Sequence, residues 1–339
     1  MFIRRARASL VAFVLGSGAM AISCAPLPGN SAMVRPTPAP ALVLPERVLV
    51  RAAGKIVSVD LESYVTDTIL SEVSPLGESD EVIAGIFEVQ AIVARSYAVT
   101  EIGRHRSEGF DVCDSTHCQL YQPSRRQTSR FAAAALQAVQ RTRGVVLTYD
   151  ARPVEALFHA DCGGATAAAD SVWGGQPVPY LQTAVDDLPD PTHRPWRAAA
   201  TVEQVRKALN LDERTAVGRR LDSIVIASRD SSGRAAGLSV RGERSFTVRG
   251  DVLRSVLNRT LGERAVLSTL FTVQRQSGDY VFAGTGFGHG VGLCQRGAAA
   301  RLRRGDSVTD VLRAYYSGAR TSRALPTGTQ IQPVERQKR

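Results

Sequence analysis

The stretch that most constrains this chain runs from Leu61 to Tyr97, LESYVTDTILSEVSPLGESDEVIAGIFEVQAIVARSY. It holds two polar residues where a helix would bury apolar ones. On a helical period Leu61, Tyr64, Val65 and Ile69 form one stripe, and Glu72 continues it. The neighbouring acids Glu62 and Asp67 point elsewhere. Ser74-Pro75 ends this helix, because a residue before proline is pushed out of the helical region. A second helix is expected after Ser79, an N-cap followed by Asp80 and Glu81, where the helix dipole favours acids. Its core face reads Ile83, Ile86, Phe87, Gln90, Val93, Tyr97, so Gln90 sits in this stripe as Glu72 does in the first.

A carboxyl turned toward a core is costly unless paired, protonated or functional, since desolvation raises its pKa. A raised glutamate is what general acid catalysis needs. Rotation to solvent at the helix end, or pairing with one of the chain's many arginines, is the alternative reading of Glu72.

The 339 residues, 44% of them hydrophobic, are enough for a sizeable core. Residues 1–23 carry Arg4, Arg5 and Arg7 and then an apolar run too short to span a membrane, which reads as an export signal. Ala21-Ile22-Ser23-Cys24 resembles a lipoprotein processing box, with Cys24 as the lipidated residue; plain signal cleavage nearby is the alternative. Residues 24–45 are a Pro-rich linker, 46–320 the folded domain, and 321–339 a tail. This composition predicts a lipoprotein of the cell envelope, anchored at the periplasmic membrane surface.

The formal net charge is +10, carried almost wholly by arginine. On an exported protein such charge suits an anionic partner such as cell-wall glycan or a phospholipid surface. No nucleic acid is expected, because no zinc-finger, RRM or Lys/Arg-run signature is present. HExxH, GxSxG and SxxK motifs are likewise absent, which removes the common zinc-protease, hydrolase-elbow and penicillin-binding readings.

Arg47 to Val59 alternates as a hairpin turning at Ala53-Gly54-Lys55. After the second helix, HRSEGFDVCDSTHCQLYQP offers Cys113, His117, Cys118 and His105 either as zinc ligands or, for the two cysteines, as a small disulfide. An alanine-rich helix from Ser129 to Arg141 and a strand VVLTYD follow, with a turn at Arg152-Pro153. His159, Cys162, Gly163 and Gly164 then sit close together; Cys162 reads as a nucleophile with His159 as its base, or as a structural cysteine. Trp173 and Tyr180 suit stacking on sugar rings or core packing. Thr201 to Leu211 reads as helix, and Leu221 to Val248 as strands turning at Gly233 and Gly242. Glycines 284, 286, 288, 290 and 292 outline a loop of close backbone approach that carries His289 and leads into a helix near Leu293; its spacing is wrong for a dinucleotide fingerprint. The fold class is α+β: a helical pair carrying Glu72 and Gln90 on a β-rich body, closed by the glycine loop and C-terminal helices.

In order, YVTDTILSEVSP, VQAIVARSYA, DVCDSTHCQLY, RGVVLTY, FHADCGGATAAADSVWGG, PYLQTAVDD and GFGHGVGLCQRGA with YYSG resemble the SpoIID/LytB domain family of cell-wall enzymes and amidase modifiers. The resemblance implies a lytic transglycosylase acting on glycan strands stripped of stem peptides, and its catalytic glutamate maps onto Glu72. Gln90, Tyr97, His159, Gly163, Gly164, Trp173, His289 and Gln295 then become candidates for binding substrate. No cofactor is required for the chemistry, while some members hold structural zinc. Cys162 and Cys294 stand where many relatives have serine, which implies a disulfide between the two loops. Val73-Ser74-Pro75 departs from the Met-Pro common after the glutamate. The rival reading is a non-catalytic, glycan-binding modifier of a cell-wall amidase.

Overall fold

The structure, a computed structural model, describes residues 42–186 and 193–324. The expected export signal, Cys24, most of the expected linker and the end of the tail lie outside the described residues. The architecture is α+β, as expected.

The chain enters through a hairpin of β1 (Arg47–Ala52) and β2 (Lys55–Asp60), paired from Arg47 opposite Asp60 to Ala52 opposite Lys55. Ala53 and Gly54 take φ of 47° and 77°, the left-handed pair that matches a two-residue hairpin turn to strand twist. Asp60 accepts the Ser63 N–H and so caps α1 (Leu61–Glu72), which stops at an extended Val73. Ser79 accepts the Val82 N–H and starts α2 (Asp80–Thr100).

α2 is long and apolar enough to cross a membrane by length and composition, but it is the central core helix. Phe87, Ala91, Ala94 and Ala98 pack with Tyr64, Val65 and Ile69 of α1 in one apolar core. Val89, Ile92 and Val93 face a second core with Leu147, Val291, Leu293 and Tyr316. The helix is buried on two sides because it separates two cores, which is why its sequence is apolar nearly all round.

Beyond it, β3 (Val112–Cys113) runs parallel to β1. A single turn α3 (Arg125–Thr128) precedes α4 (Ala132–Arg141), the alanine-rich helix, which starts three residues later than the sequence suggests. β4 (Val145–Tyr149) pairs with β5 (Arg152–Pro153). The turn falls on Asp150 and Ala151, at φ of 48° and 61°, rather than on Arg152-Pro153. Pro153 is tolerated because β5 is an edge strand of its sheet.

β6 (Phe158–His159) and α5 (Ala169–Trp173) carry the histidine and cysteine segment. A third core follows, built by β7 (Pro195–Thr201), α6 (Val202–Leu209), β8 (Leu221–Arg229), β9 (Ala235–Gly242), β10 (Phe246–Arg249), α7 (Gly250–Leu261), β11 (Phe271–Gln276) and β12 (Asp279–Thr285). Its strands form two antiparallel three-stranded sheets, ordered β10-β9-β8 and β11-β12-β7. Of these elements the sequence indicated α6 and the β8 to β10 strands. β13 (Leu293–Cys294) then runs parallel to β6, with Cys294 opposite His159. α8 (Gln295–Arg303), α9 (Val308–Tyr315) and β14 (Arg320–Arg323), which pairs with β4, complete the described chain.

Candidate active site

Glu72 is the last residue of α1, and its carboxyl lies half-buried beneath the segment 119–122. That segment is fastened to the helix at three points. The Leu120 N–H donates to Glu72 Oε1 at 2.7 Å, the Gln122 N–H donates to Ser71 Oγ at 3.0 Å, and the Tyr64 hydroxyl donates to Gln119 Oε1 at 2.9 Å. Tyr121 stacks on Tyr64 with ring centroids 5.4 Å apart. Burial pushes the Glu72 pKa up to about 7, against the downward pull of the Leu120 N–H.

The neighbouring acids account for the nearby arginines. Glu62 takes a bidentate pair from Arg95, at 3.1 and 2.6 Å, and Asp67 is paired with Arg126 at 2.8 Å. Among the described residues no ion pair involves Glu72. Its carboxyl is therefore a desolvated acid with one backbone donor.

The same loop presents the cysteine and histidine cluster just upstream. Cys113 Sγ lies 3.1 Å from Cys118 Sγ and 3.8 Å from His117 Nδ1. Cys118 Sγ lies 3.5 Å from His105 Nε2 and 3.6 Å from His117 Nδ1. His105, stacked on Phe110, turns its other nitrogen, Nδ1, to Glu108 Oε1 at 2.8 Å. A donor set of two sulfurs and two imidazoles, one backed by a carboxylate, fits a tetrahedral zinc site. Both cysteines are free thiols. Against its burial, bonds from Ser115 and Cys118 draw Cys113 down to about 7, while burial and the Cys113 bond push Cys118 up to about 12.

Tyr97 is buried on α2; its hydroxyl accepts from Arg104 Nη1 at 3.0 Å, and burial raises its pKa. The other candidates form a second group. Gln295 Nε2 donates to Gln90 Oε1 at 3.3 Å, joining the start of α8 to α2. His289 donates through Nε2 to the Phe158 carbonyl at 2.9 Å and accepts the Val291 N–H on Nδ1 at 3.1 Å. Burial lowers its pKa to about 4. Its ring centroid lies 5.5 Å from that of His159 and 5.3 Å from that of the exposed Trp173. Gly163, at φ 76°, is held by close approach, since a Cβ there would meet Leu270 and Thr285 at 2.9 Å.

Cys162 is fully buried, and the Cys294 sulfur and burial hold its thiol well above the usual range, which suits a structural cysteine better than a nucleophile. Sequence reasoning missed the Leu120 N–H, Gln119, Asp161, Asp186 and His193. A backbone donor carries no side-chain signal, and Asp186 is an ordinary acid until the fold buries it against Tyr315 and Arg301. A cavity of about 450 Å³, lined by Leu44, Leu61, Glu62, Arg143 and Arg323, lies at the opposite end of α1 from Glu72.

The residues that carry this glutamate and the cysteine and histidine loop have counterparts among known proteins. Residues 51–149 match the stage II sporulation protein family, SpoIID, and residues 189–292 match a domain of unknown function, DUF8618. The chain is 28% identical over 260 residues to an uncharacterized protein of Brachyspira hyodysenteriae, covering 76% of this chain and 66% of that one. It is 26% identical over 288 residues to stage II sporulation protein D of Bacillus subtilis, covering 80% and 77% respectively. The amidase enhancer of Bacillus subtilis is 26% identical over 274 residues, covering 68% of this chain but 37% of that protein. These matches make residues 51–149 similar to the SpoIID family.

Proposed function

We propose that this protein is a peptidoglycan lytic transglycosylase that cleaves the bond between N-acetylmuramic acid and N-acetylglucosamine in denuded glycan strands. The observation that carries the reading is the solitary Glu72 carboxyl, raised to about 7 by burial. An acid with that pKa is protonated often enough to donate and ionised often enough to accept near neutral pH. Ordinary glycosidases use two carboxyls because water or the enzyme supplies the nucleophile. Here the muramic acid C6 hydroxyl supplies it: Glu72 protonates the glycosidic oxygen, then takes the hydroxyl proton as the C6 oxygen closes on C1. The products are a free N-acetylglucosamine end and a 1,6-anhydro end. Gln90, Tyr97, Trp173, His289 and Gln295 support substrate binding in this reading.

Zinc held by Cys113, Cys118, His105 and His117 would supply structural cross-linking rather than chemistry. These residues keep the segment ending in the Leu120 N–H against Glu72. Export and lipidation at Cys24 would tether the domain to the envelope through the Pro-rich linker.

The test compares wild type with Glu72→Gln on denuded strands by mass spectrometry. Anhydro ends from wild type and none from the variant are expected. Well-folded wild type that binds glycan without producing them would overturn the enzyme. Amidase-enhancer similarity favours a second reading, a glycan-binding modifier of a cell-wall amidase. That reading predicts stimulation of an added amidase equally by wild type and Glu72→Gln.

A further inference from the structure

A second set of metal-type donors lies away from the Glu72 loop, where β6 and β13 run side by side. One nitrogen of His159, the Cys162 sulfur and the Cys294 sulfur all lie within 4.8 Å of one another. All three residues are buried, at 4%, 0% and 0% exposure. Their placement follows from the fold: His159 and Cys294 are register partners on the two parallel strands, and Cys162 follows His159 by three residues.

The imidazole keeps one nitrogen free to coordinate. His159 Nδ1 faces the Val291 carbonyl at 3.1 Å and must carry the proton to do so. Nε2 then holds a lone pair, and it is a buried atom with no hydrogen-bond partner. An imidazole whose other N–H is tied to a carbonyl is the usual arrangement of a metal-ligating histidine. The Cys294 sulfur is set as an acceptor, at the N-cap of α8, taking N–H bonds from Cys162 and Gly297, both at 3.2 Å. Next to Cys162, His193 Nε2 lies 4.0 Å from the sulfur, with its Nδ1 held by Asp161.

We propose that Cys162, Cys294 and His159 form a second, buried site for a thiophilic divalent cation, zinc in the first place, with His193 beside the remaining position. Binding releases two protons to solvent, one from each thiol; that of Cys162 currently points to Asp186 Oδ2, 3.2 Å away. Asp186 keeps its bonds from Tyr315 and Arg301. No oxidant is consumed. A disulfide would use the same two sulfurs but leave the imidazole lone pair orphaned in the core. The cation would clamp the glycine loop onto the segment 158–164 and fix the Gln295 to Gln90 contact. This site is independent of the transglycosylase reading and stands or falls without it.

The experiment uses the full mature chain in a Cys113→Ser, Cys118→Ser background, which removes the first cluster's thiols. Protein purified under reductant and checked for folding by circular dichroism is titrated with zinc and with cobalt(II). One equivalent of zinc, and cobalt spectra with thiolate charge-transfer bands, are expected. Cys294→Ser, which retains an N-cap hydroxyl, and His159→Gln should each weaken binding at least tenfold while remaining folded. A folded background protein that binds no metal would overturn the proposal. So would zinc binding that both variants leave unchanged, or a Cys162 to Cys294 disulfide in protein isolated from the envelope without reductant.

Discussion

At the scale of single residues, Glu72 shows what a hydrophobic period can reveal. A carboxyl standing on the stripe of Val65 and Ile69 was legible because helix geometry alone turns it inward. The strength of its perturbation was not, since that depends on how deeply the fold buries the carboxyl against the Leu120 N–H. Two pH effects follow. For the proposed reaction, the basic limb of kcat/KM should fall near pH 7, where the free protein loses the Glu72 proton. The acid's folded pKa lies above its unfolded one, so the folded state binds the extra proton between the two values, and stability drops as pH rises through that window. Glu72→Gln removes this penalty. Thermal melts should show the variant more stable than wild type at pH 8 and nearly equal to it at pH 4. A variant less stable at both values would mean that the carboxyl is not held against desolvation.

At the scale of elements, local signals carried furthest. Ser79 and Ser74-Pro75 mark helix ends because each acts within one turn. The sequence left the stretch from α7 to β12 unread, and it placed the β4 to β5 turn two residues late, because left-handed Asp150 and Ala151 carry no glycine signal. The join between α1, α2 and β4 rests on Arg95, fully buried and shared among Glu62, the Ala91 carbonyl and the Val145 carbonyl. Arg95→Ala leaves the part-buried Glu62 without its cation and should cost about 3–5 kcal/mol, the range for breaking one side of a buried pair. Denaturant unfolding measures it; a loss under about 1 kcal/mol would place this pair with surface salt bridges. The loop over α1 allows a second test. If Cys118 helps hold Leu120 in place, Cys118→Ser weakens the one donor that lowers the Glu72 pKa. The basic limb should then move to higher pH, and an unmoved limb would show that the segment is held by Tyr64 and Ser71 alone.

At the scale of the whole molecule, two of the three apolar cores among the described residues flank α2, and none of that nonlocal arrangement was readable from the chain. The charge was readable, and it bears on the proposed substrate. Stripping a stem peptide from muramic acid exposes the lactyl carboxylate at every second sugar, so a denuded strand is a regular polyanion. The chain carries a formal +10, supplied by arginines whose planar heads pair well with carboxylates. Exposed charges of this kind act over a Debye length of about 10 Å at 0.1 M salt and about 3 Å at 1 M. Binding to denuded strands should therefore weaken progressively as salt rises, whereas strands still bearing stem peptides, with different charge and bulk along the chain, should bind less well throughout. Glu72→Gln removes one buried carboxyl from the site and should leave the salt slope unchanged, which separates recognition from chemistry. Sedimentation of labelled protein with each strand type across a salt series measures both. Salt-independent binding would mean that stacking and neutral hydrogen bonds hold the glycan and that the arginine excess serves another anion.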